Sequence, residues 1–153
     1  MQIATSVENE CDFCVAAYTA VAKGQTLDDV VIAAVRQRRP IADARLAALC
    51  MFTTRIVALN GFVSDADVAA FKGAGWSDAA MLGVILNVAM KSMTKYVNHI
   101  AETPLNPPFE AFAWTPSRKQ AVPAWRQEVR GSRRRDHGSQ SRALNLSPGP
   151  WHT

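Results

Sequence analysis

Along the first 114 positions, apolar residues recur at three- and four-residue spacing, and no stretch sustains an alternation of apolar and polar positions. A repeat near 3.6 is one face of a helix turned toward a core, so the pattern predicts an all-α chain with short loops. A first helix is expected from Thr5 to Lys23. Thr5 and Glu8 have capping-box spacing, Val15, Ala16, Ala17, Ala20, Val21 and Ala22 suit a helix, and Gly24 stops it. Thr26 and Asp29 start a second helix, with Leu27, Val30, Val31, Ala34 and Val35 on its apolar side. Arg36, Arg38 and Arg39 follow at its C-terminal end, where cations suit the helix dipole, and Pro40 ends it. The third is expected over Ile41–Leu59, closed by Asn60-Gly61. Ser64 caps a short fourth helix through Lys72, ended by Gly73-Ala74-Gly75. Ser77 caps the longest, from Asp78 to Glu102, whose apolar set is Met81, Leu82, Val84, Ile85, Val88, Ala89 and Met93. Pro104 stops it, and Pro107-Pro108 start a brief helical turn through Phe109, Phe112 and Trp114.

Charge divides the chain. From Arg118 to the end there are eight Lys and Arg against two Asp and Glu, whereas the part before holds nine against eleven. The whole positive excess therefore sits in the last residues, and the helical part gives no electrostatic reason to expect nucleic acid. Residues 118–153, rich in Arg, Ser, Pro and Gly, read as a disordered basic tail, with a short helix conceivable around Ala124–Val129; residues 1–117 read as one helical domain. Gly-rich phosphate loops are absent. No apolar leader and no apolar run of about 18 residues is found, and three cysteines do not make a disulfide framework. Those features predict a reducing, cytoplasmic setting without a membrane partner.

The candidate chemistry lies in Cys11-Asp12-Phe13-Cys14. Two thiols at i and i+3 share a face, and at the start of a helix they meet free N–H groups and the positive end of the dipole. That setting lowers a thiol pKa and favours the nucleophilic thiolate. A zinc site needs two more ligands, and the sequence offers no second Cys-x-x-Cys and no paired histidines. Cys50 falls in the apolar pattern of the third helix and reads as a core thiol. The plain reading of Glu8 is a capping residue, that of Tyr18 a packing residue, and that of His99 a helix-end histidine.

Glu8-x-x-Cys11-x-x-Cys14 followed by small residues, together with Tyr96-Val97-Asn98-His99-Ile100-Ala101-Glu102-Thr103-Pro104-Leu105, resembles the carboxymuconolactone decarboxylase / alkylhydroperoxidase D-like family, in particular its peroxidase-related members. Gly75-Trp76-Ser77 and the Phe109, Phe112, Trp114 ending fit the same pattern, so the resemblance runs from about Ser6 to Trp114. It implies an alkylhydroperoxidase D-like helical bundle assembled into trimers or hexamers, an antioxidant oxidoreductase that uses thiols and no cofactor or metal. Cys14 would attack a peroxide, Cys11 would resolve the sulfenic acid to a disulfide, and a thioredoxin-like or lipoyl-bearing reductant would restore both thiols. Two departures stand out. Tyr18 occupies the family's histidine position, and a phenol does not accept a thiol proton at neutral pH. The family's glutamate about three turns upstream has no counterpart, as in a member shortened at its N-terminus. Glu8, Tyr18 and His99 are then the residues left to shape the site. The alternatives are a helical oligomer without catalysis and a decarboxylase-like enzyme.

Overall fold

Six α-helices and one 3₁₀ segment follow each other in the computed structural model, which describes residues 1–116; no strand occurs among them. The tail expected from 118 onward, with the helix around Ala124–Val129, lies outside the described residues. The helices are α1 (Gln2–Glu8), α2 (Asp12–Gly24), α3 (Asp29–Arg36), α4 (Ala44–Ala58), α5 (Asp65–Gly73) and α6 (Asp78–Ile100), and Pro107–Phe112 forms the 3₁₀ segment.

The expected first helix is broken in two. Glu10 takes a left-handed φ of +54°, and the chain closes α1 with Glu10 N–H on the Val7 carbonyl and Cys11 N–H on the Ser6 carbonyl. This is a Schellman-type stop built without glycine, which is why the sequence does not announce it. Thr5 and Glu8 make no capping box. Thr5 Oγ1 donates to the Met1 carbonyl, and Glu8 forms an ion pair with Arg38. The other helix starts are set by side chains that accept an N–H two or three residues on. Asp28 caps α3, two residues later than the expected Thr26, and Asp43 caps α4, so that helix begins at Ala44 rather than Ile41. Ser64 and Ser77 cap α5 and α6, with a full capping box between Ser64 and Asp67. Those hydrogen bonds, from the Ser64 hydroxyl first and its backbone N–H second, hold the Asp67 carboxyl below its ordinary range. Gly75, at φ +86°, supplies the left-handed turn into α6.

Short as it is, α1 is the hub, with α2, α3, α4 and α6 all packed against it and Ile3 to Val7 buried. One apolar cluster joins Ile3, Val7, Val15 and Ile32; the second joins Phe52, Ile56, Phe71 and Val84 across α4, α5 and α6. Burying each such side chain contributes about 1.5–3 kcal/mol. Arg36 ties the chain's later part back, donating to Thr19 Oγ1 and to the carbonyls of Phe112 and Ala113.

The long helix corrects the expected core. Val84 is buried and Met81 and Val88 pack on the second cluster, but Leu82 (66% exposed), Ile85 and Met93 face outward with Leu86, Met90, Tyr96, Val97 and Ile100. The inward face instead carries Asn87 and Lys91, both buried. No single helix among the described residues is long and apolar enough to cross a membrane; α5 and α6 reach that length and hydropathy only as a pair bent by 118°.

Candidate functional site

The break before Cys11 decides the geometry of the thiol pair. Because α2 starts afresh, Cys11 is its N-cap and Cys14 its third residue. The Cys14 backbone N–H donates to Cys11 Sγ at 3.3 Å. The two are joined as a disulfide with Cα atoms 5.2 Å apart. The expected place at a helix start thus stands, on a helix that begins six or seven residues later than the sequence suggests. Both residues are almost wholly buried, Cys11 at 0% and Cys14 at 3% exposure, on a helix packed against α1 and the 3₁₀ segment.

From α6, Asn98 Nδ2 donates to Cys14 Sγ at 3.5 Å, and the two residues are 84 positions apart in sequence. Along the same helix, Asn87 Nδ2 donates to Thr5 Oγ1 at 2.9 Å, and Lys95 Nζ donates to Asn9 Oδ1 at 3.4 Å. Lys91 places its ammonium 3.4 Å from the centroid of the Tyr18 ring. Positions 87, 91, 95 and 98 lie on one face of α6, so a polar stripe lines the inner side of that helix against α1 and α2.

Of the five residues the sequence singled out, Cys11 and Cys14 are bonded to each other and Tyr18 lies one helical turn beyond Cys14. Glu8 points elsewhere: its carboxylate pairs with Arg38, and it lines a cavity of about 220 Å³ together with Val7, Val35, Ile41 and Cys50. His99 is exposed, and its neighbour Asn98 is the residue that reaches the sulfur. Asn98, Lys91, Asn87 and Asn9 were missed. The signal available for the first three was a polar residue at each turn of an otherwise apolar helix, a pattern that reads as a solvent face until the partner is seen.

Cys50 is the remaining thiol, half-buried on α4. Burial pushes its thiol up, against smaller opposing pulls from the N-terminal amine and a Thr54 hydrogen bond. Only the protonated thiol is favoured in the fold, and thiolate appears only well on the alkaline side. Peptide mapping after alkylation at neutral pH should find Cys50 labelled more slowly than a free cysteine, with the rate climbing late as pH rises. Labelling as fast as an exposed thiol would contradict that placement. No three His, Cys, Asp or Glu side chains gather into a metal-holding group among the described residues.

No protein-family model matches this chain, and no curated protein matches it.

Proposed function

We propose that this protein is a thiol-dependent, peroxidase-like antioxidant protein built on an alkylhydroperoxidase D-like bundle. One observation carries the reading: Cys11 and Cys14 are paired at the amino end of α2, with the Asn98 amide on the Cys14 sulfur. In the reduced form, the Cys14 thiolate attacks the terminal peroxide oxygen. The O–O bond breaks, the terminal OH stays on sulfur so that Cys14 becomes a sulfenic acid, and the alkoxide takes up the proton the thiol had released and leaves as the alcohol. The Cys11 thiol attacks that sulfur, the S–S bond closes and water leaves. The peroxide gains the two electrons the thiols lose, and a dithiol reductant, thioredoxin-like or lipoyl-bearing, returns them. With a helix dipole and the Asn98 donor at the sulfur, thiolate is favoured without a histidine. The test is peroxide consumption that requires both protein and dithiol; consumption no faster than the dithiol alone would sink the reading.

The assembly proposed is a homo-oligomer, a trimer or hexamer, closed through α6. Leu82, Leu86, Met90, Met93, Val97 and Ile100 are exposed at steps of four or three residues, the spacing of a helix seam that packs on another helix. Leu86→Glu combined with Met93→Glu should reduce the solution mass to that of one chain in light scattering. An unchanged oligomer mass would move the interface elsewhere. The second reading, a helical oligomer without catalysis, draws on the near-complete burial of both sulfurs, and the peroxide assay separates the two.

A further inference from the structure

Lys91 sits in the polar stripe of α6 at 2% exposure. Lysine is almost never so buried unless paired with an anion. Among the described residues, no ion pair includes it, and what its ammonium meets is the face of the Tyr18 ring. Its neighbours on that stripe are donors as well. Asn98 gives its amide N–H to Cys14 Sγ, and Asn87 gives its own to Thr5. Opposite the stripe, at the C-cap of α1, Asn9 is 8% exposed and keeps its amide nitrogen buried without an acceptor. The wall facing α1 and α2 is therefore supplied with hydrogen-bond donors and two cations, Lys91 and Lys95, the latter on Asn9 Oδ1.

The disulfide carries no charge. Its reduction creates the anion this wall is suited to: a dithiol reductant transfers two electrons, the S–S bond breaks, and the pair becomes one thiol and one thiolate with release of one proton, while the reductant closes its own disulfide. Tyr18 is four residues after Cys14 on α2, one turn along, so the ring that seats the Lys91 ammonium stands beside the sulfur's own helix turn.

We infer that Lys91 is a positioning residue of the redox pair: seated on Tyr18 one turn from Cys14, its charge stabilises the thiolate of the reduced pair and shifts the pair toward the reduced form. The inference rests on the thiol–disulfide reading above and adds the group that poises it. It also gives the tyrosine at this position a physical role. A ring face can seat an ammonium group, whereas the histidine implied by the resemblance would supply a proton acceptor.

The test equilibrates the full chain with mixtures of oxidised and reduced dithiothreitol at neutral pH and reads the Cys11–Cys14 pair by peptide mass after trapping. Lys91→Met should lower the equilibrium constant for reduction roughly tenfold, a potential about 30 mV more negative for a two-electron couple. Lys91→Arg should restore it, since the charge and the ring contact both remain. A folded Lys91→Met with the wild-type equilibrium overturns the inference. Should Lys91→Met fail to fold, the neutral but polar Lys91→Gln is read in the same way: a pair shifted toward the disulfide supports the inference, and the wild-type equilibrium overturns it. A wild-type pair that cannot be cycled by dithiothreitol at all overturns the thiol–disulfide reading, and the role of Lys91 with it.

Discussion

Replacing Cys14 by serine is expected to bring dithiol-dependent peroxide consumption down to the solvent background, whereas Cys11→Ser should leave one slow turnover and then stop. The two outcomes differ because the sulfurs have different donors and, in the proposed cycle, different jobs. Cys14 receives the Asn98 amide and retains the small exposure of the pair, 3% against none for Cys11. A serine hydroxyl there has no accessible anion at neutral pH, so the first step has no nucleophile. Cys11 is the N-cap of α2, and serine is among the best N-caps, so Cys11→Ser keeps the helix start while removing the resolving thiol. The sulfenic acid then forms once per chain and waits. Mass spectrometry of the Cys11→Ser protein after one equivalent of peroxide should find that oxidised sulfur on Cys14. The reverse pattern, with Cys11→Ser inactive and Cys14→Ser turning over once, would exchange the roles, and equal full activity in both variants would refute the assignment. Asn98→Ala belongs to the same series. Loss of one hydrogen bond to a charged group, about 1.5–3 kcal/mol, should slow Cys14 roughly tenfold or more.

How far the sequence discloses this site depends on the kind of force involved. Helix starts that rest on one side chain and one nearby N–H are readable, as Ser64 and Ser77 are, because donor and acceptor lie three residues apart. The break at Asn9-Glu10 is not, since neither residue is the glycine or proline that normally marks such a turn. With the break hidden, the sequence puts the helix start at Thr5, six residues before the Cys11 cap that actually opens α2. The inner face of α6 was hidden for a different reason. Asn87, Lys91 and Asn98 find their partners in Thr5, Tyr18 and Cys14 at sequence separations above 70, so only the assembled fold distinguishes them from a solvent face. The apolar residues of that helix misled in the opposite sense. Leu82, Ile85 and Met93 have helical spacing, which states that they share faces but not which face meets this chain's own core. Burial of Cys11 and Cys14 belongs to a helix packed against α1 and the distant 3₁₀ segment, and the latter contact has no local signature.

Phe71→Ala is expected to carry the largest stability loss of any single truncation in the second cluster. Phe71 is 1% exposed, with its ring 4.4 Å from the Phe52 centroid and 5.9 Å from that of Trp76, near-parallel to both. Trp76 is itself fixed: its Nε1–H donates to the Arg45 carbonyl, and the Arg45 guanidinium lies over its ring. The stack thus binds α4, α5 and the turn into α6, and it is centred on the ring that the substitution removes. Phenylalanine-to-alanine changes in cores cost about 3–5 kcal/mol. Against a total of about 5–15 kcal/mol for a domain, that is a large share, visible as a lowered urea midpoint at unchanged slope. Phe62→Ala is the control, because Phe62 is 87% exposed, and it should shift stability by no more than about 0.5 kcal/mol. The consequence reaches the thiols through α6. Val84 anchors that helix in the same cluster, and Asn98 projects from it fourteen residues later onto Cys14. At denaturant concentrations where Phe71→Ala is still mostly folded, Cys14 in the reduced protein should therefore lose its Asn98 donor in step with the loosening of α6. Its alkylation rate at neutral pH should drift toward that of a variant lacking the Asn98 amide. Phe71→Ala with a wild-type urea midpoint would mean that the ring stack does not hold α4, α5 and α6 together, and would remove the mechanical link between this cluster and the sulfur.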